Sequence, residues 1–484
     1  MTCNADQEAI LLRSLNDNSR HSRTSTAGSS RVSRRTLVAG IGAVLTLSAC
    51  GQVSYTKPQA DVAEAFAGDS PARHARSNTW WRAFRDPQLD ELISTGLARN
   101  LDVHTAVATI REAEANARLV GASDLPQVEI GAAAGRHRDD TGIIESSSAT
   151  LGVSWLIDLF GQNRAARTGA SARLDAAWLS AEVARLTVAS AIASAYVDAR
   201  YYQEARSLTE QSLESRRHSL KLTQSESELG SAGRLEVLQA EQLVAQAEAE
   251  LPAFEVGLDQ SINRLATLTA GRTGEIAAKM RKAKPQPRAR YSASVGVPAD
   301  VIRVRPDVRA AERNLAAAAA DVGQARADFY PKLRLSGTIT PTNISGGRSP
   351  TTWSFGPQIS LPIFTGGANK ARLSAAQARA EKARLAWQAA VLRAVEEVEN
   401  ALAGYNRDGR AVAAQGRLVD NARETVELTR YSYEQGQTDF FPVLDAERHL
   451  LSARQGLAAA SRQQALNFIA LSAASAGGVG VPMA

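Results

Sequence analysis

Residues 151–161 read Leu-Gly-Val-Ser-Trp-Leu-Ile-Asp-Leu-Phe-Gly. Apolar side chains occupy every second position of this stretch, from Leu151 to Leu159, and three of the four positions between them are small or polar. A period of two is the pattern of a β-strand with one apolar and one polar face. The stretch therefore predicts a half-buried strand, and its length suits a tilted crossing of a bilayer.

Three further segments, 128–134, 333–340 and 353–361, carry the same alternation. Pro357 suits an edge strand, since proline cannot donate to a neighbour. Two interpretations remain open: a sheet whose apolar face packs on a helix, or a sheet whose apolar face meets lipid while the polar face lines a wet lumen. Four strands cannot close a barrel, because the smallest have eight. The second interpretation therefore requires subunits that share one barrel.

The chain repeats itself at an interval of about 205 residues. Leu125-Pro126 corresponds to Tyr330-Pro331, residues 158–161 to 362–365, and Gly230 to Gly436. Each copy reads as helix, strand, strand, long helix, turn, helix. The repeat therefore predicts two copies of one structural unit. We predict repeats at 80–270 and 301–475, a proline-containing linker at 271–300 and a tail at 476–484.

Long proline-free segments, 162–228 and 366–435, predict helices of about 100 Å at 1.5 Å per residue. A glycine-containing turn and a shorter helix follow each, at 232–268 and 442–473, and short helices precede the strands at 102–123 and 306–328. Mostly alanines recur in steps of four and three along 177–195 and 376–394. That spacing is typical of a tight coiled coil. The predicted fold class is thus mostly α with a small β part.

The first fifty residues read as a targeting segment. Residues 1–35 hold six arginines, an apolar run follows from Leu37 to Leu47, and Ser48-Ala49-Cys50 ends it. The run is too short to span a bilayer, so we predict a signal peptide at 1–49 that is removed. The ending resembles a lipobox, which predicts a lipid on Cys50 and a tether at 50–79. A chance cysteine after a signal peptide is the alternative, and Ser33-Arg34-Arg35 leaves the export route, Sec or twin-arginine, open.

Charge and side-chain chemistry exclude several classes. Totals of 56 basic and 50 acidic residues, less the six arginines and three acids of 1–49, leave a net charge of +3, which gives little support for a nucleic-acid partner. Cys3 and Cys50 leave no thiol pair, and the six histidines show no metal spacing. No phosphate-binding loop or nucleophile motif occurs, and the helix carboxylates read as a solvated face. We therefore expect no enzyme, no metal and no cofactor beyond the lipid. No further apolar run predicts a membrane-spanning helix.

Several motifs together resemble one family. They are Trp80-Trp81-Arg82-Ala83-Phe84, Asp86-Pro87-Gln88-Leu89, Leu97-Ala98-Arg99-Asn100, residues 155–161, Arg305-Pro306-Asp307-Val308-Arg309-Ala310-Ala311-Glu312, Tyr330-Pro331 and Leu361-Pro362-Ile363-Phe364. In order and at this spacing they resemble the TolC family of outer-membrane efflux proteins, in its NodT/OprM-like lipoprotein branch. The resemblance covers nearly all of the chain after residue 50.

The resemblance implies a homotrimer in the outer membrane of a Gram-negative bacterium. Three subunits of four strands would form a twelve-stranded barrel above a barrel of long helices. Such a duct passively conducts small molecules delivered by an inner-membrane RND-type pump and a periplasmic adaptor. A periplasmic coiled-coil adaptor or structural lipoprotein without a pore is the alternative. The sequence does not disclose the cargo.

The resemblance also places a periplasmic tip at the turns of Gly230 and Gly436. Relatives narrow the pore there with acidic and hydrophobic side chains, which implies gate residues at Asp439, Phe440, Phe441 and Asp445. Pro442 replaces a second acidic position. Alternatively, Asp439 caps a helix that begins near Pro442, and Asp445 is an early-turn acid favoured by the helix dipole.

Overall fold

A computed structural model describes residues 56, 58–59, 79–140, 142–289 and 303–475. The predicted signal peptide, the lipid site at Cys50, most of the tether at 50–79, the end of the linker and the tail at 476–484 lie outside the described residues. A 3-10 helix, Trp80–Phe84, opens the main described segment. The helices that follow are α1 Pro87–Arg99, α2 Leu101–Ala122, α3 Gln162–Glu228, α4 Arg234–Leu268, α5 Thr273–Met280, α6 Pro306–Ala327, α7 Ala368–Glu434 and α8 Phe441–Ser475. The strands are β1 Gln127–Asp139, β2 Gly142–Ile157, β3 Lys332–Ile344 and β4 Thr351–Ser360.

The same order of elements occurs twice. Helix, strand, strand, long helix and shorter helix are α2, β1, β2, α3 and α4 in the first half, and α6, β3, β4, α7 and α8 in the second. The paired helices have 22 residues each before the strands, 67 each after them and 35 each after the turns. The predicted long helices are confirmed, and α3 has the predicted bounds.

Local chemistry explains where these helices begin. The side chain of Asn100 caps α2 by accepting hydrogen bonds from the backbone N–H groups of Asp102, at 2.9 Å, and Val103, at 3.3 Å. Pro87 and Pro306 occupy the first turns of α1 and α6, where a missing N–H costs nothing. Pro252, by contrast, lies inside α4, which the chain nevertheless completes as one helix.

The long helices are covered by the shorter ones over successive parts of their length. Near the sheet, α3 packs on α2 through Ala177, Ala181 and Ile110, and on α6 through Ala172 and Ala317. Beyond this region α4 lies along α3, while α7 packs on α6 and then on α8. Both predicted small-residue seams are buried or half-buried, as expected of a close helix contact.

The principal hydrophobic core lies midway along α3. It gathers the Trp80–Phe84 helix, α1 and the last turns of α4 and α8 around Ile192 and Tyr196. Helix α5 adds Ile276 and Met280, of which Met280 has no exposed surface. Part of the segment that prolines predict to be a linker is thus a packed helix.

One stretch of α3 differs from the expectation that no further run could span a membrane. By length and composition alone α3 contains such a stretch, and 44% of it is buried in the protein. Its apolar character comes from the alanine-rich seam that packs against neighbouring helices. The same composition therefore serves a helix core.

The four strands form one antiparallel sheet in the order β1-β2-β3-β4. The register pairs Ile130 with Leu151 and Leu151 with Ile339, so the apolar positions of neighbouring strands lie on one face. Trp353 of β4 joins this row opposite Ile339. Pro357 lies in β4, an edge strand of this sheet, as its missing N–H predicts. The strands extend beyond the predicted segments at most of their ends.

Candidate functional site

The two faces of the sheet are inverted relative to a soluble protein. Ile130, Trp353 and Phe355 are 77%, 76% and 71% exposed. In the second half of β2 the exposed positions, including Leu151 and Val153, are apolar, whereas Thr150, Gly152 and Ser154 between them are half-buried. A soluble sheet would bury the apolar face. The interpretation of a sheet packed on a helix through that face is therefore wrong, and the apolar face is open.

The opposite face carries hydroxyl groups that meet across the strands. The Thr150 and Thr340 hydroxyls are 3.0 Å apart, and those of Thr338 and Ser354 are 2.8 Å apart. Because opposed residues share a face, Ser154 and its partner Ser336 continue this polar surface. The sheet thus has a face that suits lipid and a face that suits water.

At the far end of α3 and α7, two glycine turns reverse the chain. Gly230 and Gly436 have φ of +77° and +69°, values that side chains other than glycine rarely adopt. Each follows its long helix by the same distance, and the N–H of Gln437 closes its turn on the carbonyl of Ser432 at 2.9 Å. Both turns lie at the end of the long helices opposite the sheet. That this end is the periplasmic tip stays a prediction.

Hydrogen bonds and packing join the two tips. Tyr433 of α7 donates a short hydrogen bond to Glu226 of α3. Burial and this bond raise the pKa of Tyr433 to about 12, so its hydroxyl remains a donor at physiological pH. Tyr433 also packs against the Phe440 ring, with centroids 5.0 Å apart. The hairpin formed by α7 and α8 is thereby held against the hairpin formed by α3 and α4.

The predicted gate residues occupy different environments. Phe440 is buried against Ala240 of α4 and its neighbours, whereas Phe441 is 54% exposed. Asp439 is exposed and Asp445 is half-buried. Of the two phenylalanines, Phe440 therefore packs within the protomer and Phe441 presents its ring outward. Their roles as gate residues stay predictions.

The local alternatives for the two aspartates do not match the helix start. The N–H groups of Val443 and Leu444 bond to the carbonyl of Phe440, so Phe440 precedes α8 directly and Asp439 lies one residue too early to cap it. The first turn of α8 contains no acidic residue, because Asp445 falls in the second turn. Asp445 instead accepts a 2.6 Å bond from Arg448.

One carboxylate near the tip departs from the expectation that helix carboxylates are solvated. Glu447 is buried, pairs with Arg430 of α7 and accepts a 3.3 Å hydrogen bond from Ser215 of α3. Arg430 also donates to Ser215 at 3.0 Å. In the sequence, Glu447 looks like part of a solvated helix face. Its burial depends on neighbouring helices that cover it only in the folded protein. This polar contact gave no sequence signal.

The most specific sequence motif forms a buried clasp. Arg305 donates to both carboxylate oxygens of Asp307, at 3.0 and 2.6 Å, to Glu397 at 2.6 Å and to the carbonyl of Ala474 at 3.1 Å. Burial opposes the charge, but the bonds to Asp307 and Glu397 prevail and raise the pKa of Arg305. The motif thus ties α6 to α7 and to the end of α8. Its role is to position helices.

The described part of the chain holds no group of three or more His, Cys, Asp or Glu residues arranged for a metal ion. The predicted lipid site, Cys50, lies outside it.

The chain is similar to outer membrane efflux proteins in both sequence and structure. The sequence pattern of outer membrane efflux proteins matches residues 92–271 and 297–477. Nodulation protein T of Rhizobium leguminosarum bv. trifolii is 38% identical over 409 residues, covering 82% of this chain and 87% of the relative. The toluene efflux pump outer membrane protein TtgF of Pseudomonas putida is 30% identical over 438 residues, covering 85% and 90%. The solved outer-membrane channel OprN shares 30% identity and a TM-score of 0.81, covering 88% of this chain and 99% of its own.

Fold and relatives together define an outer-membrane channel protein. The chain belongs to the outer membrane efflux protein family, as its motifs predicted, in the branch of the nodulation T proteins. Members of this family are transport channels rather than enzymes. An efflux channel of the outer membrane is favoured over a coiled-coil protein without a pore.

Proposed function

We propose that three copies of this chain close a twelve-stranded barrel whose lumen continues between the long helices. One observation carries the proposal: a four-stranded sheet exposes its apolar face while its outer strands, β1 and β4, are edges of that sheet. In a membrane, unpaired strand edges and an exposed apolar face are both stable only when the sheet closes into a barrel. Closure pairs the backbone groups of the edges and leaves the apolar face in contact with lipid. Four strands are too few, so further copies supply the rest.

The internal repeat indicates how the copies meet. Phe160, after β2, stacks on Tyr330, before β3, with ring centroids 5.0 Å apart. Phe364 is the equivalent of Phe160 after β4, and it is 90% exposed. Leu125 is the equivalent of Tyr330 before β1, and it is 62% exposed. We place Phe364 against Leu125 of the next copy, so that the contact between subunits repeats the contact between halves.

Equivalent hydrogen bonds support this use of the repeat. The Asn163 side chain donates to the carbonyl of Ser123 at 3.3 Å, and the Asn369 side chain donates to that of Asp328 at 2.9 Å. Each bond links the start of a long helix to the end of the helix before the strands. The two halves thus build the same junction between sheet and helices.

Cysteine cross-linking tests the assembly. In protein with Leu125→Cys and Phe364→Cys, a short bis-maleimide should produce covalent dimers and trimers on denaturing gels. The matched control, Phe160→Cys with Tyr330→Cys, places the same pair within one chain and should react without a gain in mass. If the control reacts while the test protein stays at the mass of one chain, the proposed trimer contact is wrong.

The remaining parts follow from this assembly. A lipid on Cys50 would anchor each subunit to the membrane. The tips of α3/α4 and α7/α8 would meet a periplasmic adaptor that receives cargo from an inner-membrane RND-type pump. Asp439, Phe441 and Asp445 would narrow the duct at this tip, with Phe440 supporting them from within the protomer. The efflux role of TtgF supports a small-molecule cargo.

A further inference from the structure

A cavity of about 620 Å³ lies where the polar face of the sheet meets the helices. Leu156, Arg334 and Gln358 form its wall on the sheet side, and they are opposed to one another in the register of β2, β3 and β4. Gln162 and Asn163, at the start of α3, form part of the facing wall. The cavity is therefore built jointly by the sheet and the first turn of a long helix.

Arg334 brings a positive charge to this cavity that no described carboxylate pairs with. Two other basic side chains at the junction are paired: Lys332 lies 3.0 Å from Asp328, and Arg167 lies 2.9 Å from Asp124. The side chain of Arg334 itself is exposed on the polar face. A planar guanidinium with free donors is suited to a carboxylate, sulfate or phosphate group.

Asp158, just beyond the end of β2, accepts a hydrogen bond from the backbone N–H of Arg164 at 2.9 Å and forms no ion pair with Arg334. Among the strand residues of the same face, the acid nearest in register is too far away to pair with it. Glu129 is opposed to Gly152, whereas Arg334 is opposed to Leu156, four residues further along β2. Four residues of a strand span about 13 Å, and Glu129 lies two strands away. Between these positions the polar face presents hydroxyl groups such as those of Ser154, Ser336 and Thr338.

We propose that Arg334 forms a binding site for the anionic group of an organic molecule passing through the duct. Leu156 and the hydroxyl surface would contact the uncharged body of that molecule. This inference rests on the proposed function, because it requires the polar face to line the lumen. Three subunits then place three guanidinium groups in a ring at the base of the barrel, which favours anions there.

A pair of similar probes separates charge from shape. Toluene-4-sulfonate carries the anionic group, and toluene-4-sulfonamide is its neutral counterpart of nearly the same size. Added to single channels in planar bilayers, the sulfonate should block current at lower concentration than the sulfonamide. Arg334→Gln should weaken the sulfonate block by about tenfold, as expected for loss of a charged hydrogen bond, and leave the sulfonamide response unchanged.

Two further variants complete the test. Arg136→Gln removes a charge at the other end of the sheet, where Arg136 pairs with Glu145 at 3.2 Å, and should leave both responses as in the original protein. Arg334→Lys keeps the charge without the two-pronged geometry, so it should weaken the sulfonate block by a smaller factor, and it serves if the glutamine variant does not insert. Conducting channels in which the sulfonate blocks no better than the sulfonamide, or in which changing Arg334 leaves its block unaltered, would overturn the anion site. Absence of any conductance would instead count against the proposed duct.

Discussion

At the scale of single residues, the two aspartates near the Gly436 turn differ in how far neighbouring groups compensate their negative charge. Asp439 is exposed, whereas Asp445 is half-buried and accepts a 2.6 Å hydrogen bond from Arg448. In a trimer, Asp439 would repel its two symmetry copies with little local compensation, while the charge of Asp445 is partly offset by its own helix. The two aspartates would thus contribute unequally to a narrow, acidic neck.

We predict that Asp439→Ala combined with Asp445→Ala raises the single-channel conductance in planar bilayers, because it removes six carboxylates from the neck of a trimer and widens it. The Asp439→Asn and Asp445→Asn pair should act in the same direction if charge is the cause. Glutamates at both positions preserve the charge and should not raise conductance. A conductance that is the same in all of these proteins would count against a gate at this turn.

At the scale of elements, the hairpins depend on how closely helices approach. Gly257 of α4 is buried, and a β-carbon at this position would lie 2.4 Å from a ring atom of Tyr202 on α3. Such a distance is far below van der Waals contact, so the Tyr202 ring fits only because residue 257 has no side chain. Gly96 plays the same role between α1 and Ile192, with a β-carbon distance of 2.2 Å.

Gly257→Ala should lower the free energy of unfolding by about 1–3 kcal/mol, the usual range for overpacking. Thermal denaturation of the detergent-solubilised protein, followed by circular dichroism, measures the effect. Gly274→Ala is the control, since a β-carbon at this helical position has open space around it, and replacing glycine there should be neutral or mildly stabilising. Equal stability of the two variants would show that α3 and α4 can separate to accept the methyl group.

At the scale of the whole molecule, one protomer leaves part of its apolar surface uncovered. The protomer leaves Ile130, Trp353 and Phe364 largely exposed, in contrast to the fully buried core around Ile192 and Tyr196. The first group lies on or beside the sheet and the second lies between helices. The helical part is therefore stabilised within one chain, whereas burial of the sheet's apolar face requires the proposed assembly in a membrane.

Neighbouring residues of β2 allow this difference to be tested. Leu151 lies on the open apolar face, and Thr150 lies on the hydroxyl face opposite Thr340. Leu151→Lys should reduce the amount of trimer in outer-membrane fractions, because a lysine facing lipid costs up to about 2–4 kcal/mol per subunit. Thr150→Lys places the same charge in the lumen and should assemble normally. Comparable loss of trimer in both variants would contradict the assignment of the faces.

The sequence by itself determined the elements and their order. Proline-free segments give α3 and α7 because nothing within them interrupts backbone hydrogen bonding, and the alternation around Leu151 and Trp353 gives strands because side chains alternate across a strand. The equivalent glycines Gly230 and Gly436 predicted both turns, since the positive φ of such a turn favours glycine. Local rules of this kind act over a few residues, so they can be read from the chain.

Tertiary structure alone decided which side of each element meets what. It left the apolar face of the sheet exposed, buried Phe440 and Glu447, and packed α5 into the core. It also placed Arg334 beside a cavity, where no carboxylate pairs with it. Each of these outcomes depends on segments far apart in sequence, such as α3 with α8 or β3 with the start of α3. Burial and charge pairing depend on which segments lie next to each other in the fold. The periodicity of one segment does not predict those neighbours.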